Sequence, residues 1–191
     1  MLCMMSHSRH IQGRRSALWE GLDLENPVYF KSRLAIIPQD PFLFSGTVRE
    51  NLDPTSSHID SDLYNVLERC HLKAPVDRLG DLKADVGERG RNFSVEQRQL
   101  VCLAWALLTR ARVLCIEEAT ASIDFETDQL IQETIKQEFH DSTVLTIAHR
   151  IDTILNSDRV LVMSEGSVAE FDQPIILLQK TESLFFKLVH K

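Results

Sequence analysis

At 191 residues, 43% hydrophobic and 26% charged, the chain has the make-up of one globular domain with a sizeable core. Its formal net charge of −7 argues against a nucleic-acid surface, because phosphate backbones demand clustered Lys and Arg. No apolar run approaches the roughly 18 residues that a membrane helix needs, so no direct membrane span is expected.

In chain order, Met1 to Ala17 is free of acids and carries Arg9, Arg14 and Arg15. That composition is shared with organelle transit peptides, and an alternative or truncated start accounts for it as well. Glu20-Gly21-Leu22-Asp23-Leu24 reads as a strand-end turn. Leu34-Ala35-Ile36-Ile37 reads as a buried strand whose ladder is stopped by Pro38, leaving Gln39 at the carboxyl end. Thr47 to Arg91 reads as mostly helical. Within it Leu63, Val66, Leu67 and Cys70 form one stripe, with Asp60 or Ser61 as candidate caps.

Arg91 to Asp124 carries the densest signal. Ser94 and Gln97 have capping-box spacing. Behind them Leu100, Leu103, Ala104, Leu107, Leu108 and Ala111 fall on one helical stripe. Val113-Leu114-Cys115-Ile116 is an unbroken apolar run, predicted to be buried on both faces of a parallel sheet. It ends in two carboxylates, Glu117 and Glu118. Ligands of open α/β sheets sit at the carboxyl ends of strands. A helix N-terminus favours anions, and paired acids at a strand end suit Mg²⁺ and the activation of water.

Beyond Asp124, the spacing of Leu130, Ile131, Thr134, Ile135 and Glu138 predicts another helix. Thr143 to Ala148 is the next strand, ended by His149. Val160–Met163 and Val168–Phe171 flank Ser164-Glu165-Gly166-Ser167, a hairpin signal. Pro174 is expected to open one terminal amphipathic helix from Ile175 to Val189. Four cysteines without C-x-x-C spacing predict reduced thiols and exposure to the cytosol.

These landmarks have the order of a known family. The Ser94–Asp124 segment, Ile36-Ile37-Pro38-Gln39, Phe44-Ser45-Gly46-Thr47-Val48-Arg49-Glu50-Asn51-Leu52, Val86-Gly87-Glu88-Arg89-Gly90 and Thr146-Ile147-Ala148-His149-Arg150 resemble an ATP-binding cassette (ABC) ATPase. In detail they look like the second nucleotide-binding domain of the multidrug-resistance-protein subfamily of exporters. The resemblance implies an α/β fold, a partial RecA-like parallel sheet core with a helical subdomain at 47–91. It covers 18–191, the C-terminal two-thirds of such a domain, and leaves 1–17 unmatched.

It also implies roles and surroundings. Gln39 resembles the Q-loop glutamine, Glu118 the general base and His149 the switch histidine of the catalytic group. Ser94 and Gln97 of the signature, and Ser122 and Asp124 of the D-loop, would contact ATP, while Glu117 and Gln39 would hold Mg²⁺. Glu88 and Arg89 resemble a loop that senses docking. The partners implied are a second nucleotide-binding domain and the transmembrane domains of a transporter, at the cytosolic face of a membrane.

Three departures from the family pattern predict impairment. None of the seven glycines is followed by Lys, so the phosphate cradle G-x-x-x-x-G-K-[ST] is missing. The resemblance puts it at or before Met1, and its loss is expected to leave the sheet's central strands uncovered. Phe93-Ser94-Val95-Glu96-Gln97 has Glu96 where the family's signature has glycine. Glu117 stands in place of the Walker B aspartate, and Trp105 in place of an arginine, with no role assigned to Trp105. Two readings follow: a domain coupling ATP hydrolysis to transport of organic anions or drugs, impaired as written, or a non-catalytic remnant or docking module. A soluble ABC ATPase of the DNA-repair or chromosome-structure type is disfavoured by the acidic balance, by the lack of coiled-coil heptads and by the match at Val48–Pro54.

Overall fold

Behind Ser94 the chain forms the helix around which the core is built. The computed structural model describes residues 2–7, 33–117, 125–148 and 151–190, with backbone alone for 2–7, 125–128 and 152. Six strands form one sheet: β1 Leu2–His7, β2 Leu34–Ile37, β3 Val113–Glu117, β4 Thr143–Ile147, β5 Arg159–Ser164 and β6 Ser167–Asp172. The helices are α1 Val48–Leu52, α2 Asp60–Arg69, α3 Lys73–Leu79, α4 Val95–Leu108, α5 Phe125–Glu138, α6 Ile151–Leu155, α7 Pro174–Leu178 and α8 Leu184–Val189, with a 3-10 turn at Glu88–Gly90.

The strand order is β2-β3-β4-β1-β5-β6. β2, β3 and β4 are parallel, as expected for the α/β class. β1 is antiparallel to both β4 and β5, so β4 and β5 point the same way with a reversed strand between them. The expectation of uncovered central strands is thereby corrected. Residues 2–7 fill the interior position, and their ladders satisfy the backbone groups that β4 and β5 would otherwise leave open.

α4 explains why one sheet face is sealed. Leu100, Leu103, Ala104, Leu108 and Ala111 of the predicted stripe are buried, and so are Gln99, Val101 and Ala106. A helix buried nearly all round must have neighbours on several sides. It packs against β2, α1, α2 and α5. Ala35, Ile37, Leu114, Ile116 and Val144 are buried in the same core.

The other face is different. Ile36 is 63% exposed, and its register partner Cys115 is only half-buried, as is Leu145 beyond it. The expectation that Val113–Ile116 is buried on both faces is therefore corrected. A short apolar run fixes strand character but not which side is covered.

Between β2 and α4 lie three helices and the 3-10 turn, as predicted for Thr47 to Arg91. α1 has a capping box between Thr47 and Glu50. α2 does not use the expected cap. It begins at Asp60, with Ile59 as N-cap and no side-chain cap. The Asp60 carboxylate pairs instead with Arg49. Leu63, Val66, Leu67 and Cys70 are buried together as the stripe required. Burial pushes the Cys70 thiol up to about 12 and the Cys102 thiol up to about 11, so both stay protonated and inert. The free cysteines Cys70, Cys102 and Cys115 agree with the reduced state predicted.

The hairpin β5–β6 forms as predicted, turning at Glu165 and Gly166 with φ of 50° and 77°. The single terminal helix does not form. It is divided into α7 and α8, because Ser183 N-caps a new helix by accepting from Phe185 N and Phe186 N. Glu170 on β6 reinforces that start, accepting from Ser183 Oγ at 2.9 Å, Leu184 N at 2.8 Å and Phe185 N at 3.1 Å. A cap reaching in from another strand is invisible to periodicity.

Burial pulls the Glu170 pKa up. The donors at Leu184, Phe185 and Ser183 and the charge of Lys180 outweigh it and hold the carboxyl below its ordinary value. A depressed carboxylate contributes stability that is complete above the unfolded pKa of about 4.3 and fades as pH falls through the folded one. Glu170→Gln is expected to lose about 1 kcal/mol at pH 7, the usual scale for a cap, and to flatten the acid limb of stability. Thermal melts from pH 3 to 7 check this. Parallel curves for the two proteins would contradict it.

Candidate functional site

The three parallel strands end level. Ile37 pairs with Ile116, and Glu117 pairs with Ile147. Gln39 follows β2 by two residues, Glu117 closes β3 in an exposed position, and Ala148 follows β4. Glu118, Ser122, Asp124 and His149 lie outside the described residues. Gln39 thus stands just past the end of β2 and Glu117 at the end of neighbouring β3, at the edge where open sheets bind ligands.

The start of α4 is brought to that same edge. Ser94 N donates to Gln97 Oε1 at 3.0 Å, and Gln97 N donates to Ser94 Oγ at 3.2 Å. The capping box predicted from sequence is complete. Each side chain is thereby committed to a backbone N–H at the helix start. Glu96 lies in the first turn, half-buried. Its charge complements the positive end of the helix dipole, and the same charge opposes any phosphate brought there.

Two residues missed by the sequence reading hold Gln39 in place. Gln99, 5% exposed, donates Nε2 to Gln39 O at 3.2 Å. Arg98 donates Nε to Pro41 O at 2.6 Å and Nη2 to Asp40 Oδ1 at 2.6 Å. Their only signal was the polar run Glu96 to Gln99 that opens an otherwise apolar helix, of which Gln99 is buried.

Beyond Gln39 the chain alternates exposed and buried. Leu43 is buried, whereas Phe42 and Phe44 are 57% and 70% exposed. The two rings meet edge to face at 5.7 Å. The two exposed rings together form a small apolar patch beside the Gln39 loop. Nearby, Gly87 and Gly90 have φ of 77° and 79°, and Arg89 between them has φ of 54°, so Glu88 and Arg89 sit on a tight turn. Leu43 N donates to Arg89 O at 3.5 Å, tying this turn to the Gln39 loop.

Glu117 and Gln39 supply oxygen donors of the kind Mg²⁺ prefers. Among the described residues no group of three or more His, Cys, Asp or Glu is placed to hold a metal ion. Trp105, for which the sequence suggested no role, is half-buried and packs on the core that α4 organises. A hollow of about 370 Å³, lined by Glu170, Phe171, Lys180 and Glu182 among others, lies at the β6 margin of the sheet and touches none of these groups. Among the described residues no helix is long and apolar enough to cross a membrane.

Comparison with known proteins gives one consistent result. The family model described as ABC transporter matches residues 2–121, a match that also runs through residues 2–17. ATP-binding cassette sub-family C member 10 of Mus musculus is 58% identical over 159 residues, 83% of this chain and 11% of the relative. ATP-binding cassette sub-family C member 4 of Homo sapiens is 49% identical over 162 residues, 84% of this chain and 12% of the relative. Bile pigment transporter 1 of Saccharomyces cerevisiae is 45% identical over 192 residues, 90% of this chain and 12% of the relative. The chain thus spans about a ninth of the length of these curated relatives.

Proposed function

The chain belongs to the ABC transporter family, among the nucleotide-binding domains of its C subfamily, and from that we propose that it serves an exporter, coupling ATP binding and hydrolysis to transmembrane transport, with both steps weakened in this chain. The observation that carries the proposal is the convergence of Gln39, Glu117 and the capped start of α4 at one sheet edge. In this reading Gln39 and Glu117 hold Mg²⁺, Glu118 orients a water and His149 faces the terminal phosphate. Ser94, Gln97, Ser122 and Asp124 face the nucleotide of a second domain. Bound Mg²⁺ would neutralise phosphate charge and so ease phosphoryl transfer.

Three features of the chain argue for weakened function. Glu117 carries one methylene more than aspartate, and Mg²⁺ tolerates little departure from octahedral bonds of about 2.0–2.1 Å. Glu96 brings a like charge to the helix start. β1 enters the sheet in the direction opposite to its neighbours, so its carboxyl end at His7 lies beside Val144, at the edge remote from Gln39. A phosphate-binding loop must follow a strand pointing towards the site, which β1 does not.

The exposed Phe42–Phe44 pair, with the helices of 47–91, is the surface proposed to meet the transmembrane domains. Position at the cytosolic face of a membrane follows from that docking. A second reading, a docking module without catalysis, is favoured by the same reversal of β1 and by Glu96. Titration of the chain with a fluorescent ATP analogue at millimolar Mg²⁺ tests the weakened-site reading. No saturable binding below the millimolar range is expected. Micromolar affinity that survives Glu118→Gln would overturn it.

A further inference from the structure

Arg98 and Gln99 are consecutive, yet both leave the surface of α4 to hold the same neighbouring loop. Gln99 reaches Gln39 O at 3.2 Å. Arg98 makes three contacts in three directions: Pro41 O at 2.6 Å, Asp40 Oδ1 at 2.6 Å and, turning back, Phe93 O at 3.2 Å. Its stem also lies against Gly90, where an added Cβ would come within 2.9 Å of Arg98 Cδ. The guanidinium therefore ties the loop carrying Gln39, 57 residues away at Pro41, to the 87–93 turn and the first turns of α4 that follow it directly in the chain.

The partners indicate which contacts matter. The Asp40 side chain is 77% exposed and that of Arg98 14%, so the ion pair itself is screened by water and contributes little. The two carbonyls are what the planar fork is suited to, since it alone offers several fixed donors at once. A Lys ammonium is a single point charge and cannot span Pro41 O and Phe93 O in the same geometry.

We propose that Arg98 is a positioning residue: with the Gln99 amide it fixes where Gln39 stands relative to the Ser94–Gln97 helix start, so that the two halves of the site move as one body. The inference rests on the function proposed above only in giving Gln39 a task. The clamp itself is testable without nucleotide, so a chain that binds no ATP leaves it intact.

The experiment is residue-resolved amide exchange on the 191-residue chain, which reads local opening separately from global unfolding. Arg98→Met keeps the stem against Gly90 and removes the donors. Exchange at Leu43, whose N–H donates to Arg89 O, and at Phe93, whose N–H donates to Gly90 O, is expected to accelerate at least about tenfold. Leu67 in α2, buried and remote from the clamp in sequence, is expected to be unchanged. Arg98→Lys is expected to fall between wild type and Arg98→Met. Gln99→Leu, which cuts only the bond to Gln39 O, is expected to accelerate Leu43 and spare Phe93. Unchanged exchange at Leu43 and Phe93 in Arg98→Met would overturn the proposal. So would equal acceleration at Leu67, because Arg98 would then be a general stabiliser. Should Arg98→Met not fold, Arg98→Lys and Gln99→Leu carry the same two comparisons.

Discussion

Glu96→Gly, introduced into a two-domain assembly that contains this domain, is expected to raise ATPase activity by about tenfold to a hundredfold. At an effective dielectric near 20, unit charges about 6 Å apart interact by roughly 3 kcal/mol, and salt reduces that to about half. Relieving such repulsion where a phosphate approaches converts to the stated range at about 1.4 kcal/mol per decade. Stability moves the other way. Glycine forfeits the charge–dipole term of about 0.3–1 kcal/mol and adds helix entropy of about 0.5–1 kcal/mol. The variant is therefore expected to melt earlier while turning over faster. Unchanged turnover with a lowered melting temperature would mean that this helix start does not face a phosphate.

Gly90→Ala is expected to be among the most damaging single-methyl additions to the described residues, at about 2–5 kcal/mol. Its φ of +79° is a conformation that L side chains rarely adopt, which alone costs about 1–2 kcal/mol. The new Cβ would also lie 3.0 Å from Leu43 Cβ. A Cβ cannot rotate aside, so backbone must shift, and overpacking of this sort costs about 1–3 kcal/mol. Gly166 provides the control. Its φ is +77° and nothing lies within 4 Å of an added Cβ, so Gly166→Ala should show the backbone term alone. Denaturant melts of the two variants check the difference. Equal losses would show that the contact between Gly90 and Leu43 is not tight in solution.

The sequence made α4 and the parallel strands legible because their signals are local. Ser94 and Gln97 are three residues apart, the apolar stripe behind them repeats every turn, and Pro38 ends β2 by its own chemistry. The hairpin at Glu165-Gly166 was legible for the same reason. What escaped is non-local. Glu170 caps a helix fourteen residues downstream, and that contact divides what periodicity joined into one. Asp60 is drawn to Arg49 and so is lost to the cap it was expected to form. Arg98 and Gln99 look like ordinary polar positions until Gln39, Asp40 and Pro41 are brought beside them by the fold. For the site itself, motif order identified the family, while the reversed direction of β1 has no trace in a six-residue stretch read alone.

That reversed strand bears on how the chain assembles. Among the described residues, the ladder of β2, β3 and β4 and the hairpin of β5 and β6 touch edge to edge only through β1, whose partners lie roughly 140 to 160 residues away in sequence, a separation that slows folding. Without β1 in place, each half-sheet would show a row of unsatisfied amides and carbonyls to other molecules. Crowded refolding should therefore trade monomer for aggregate at a step that closes this seam.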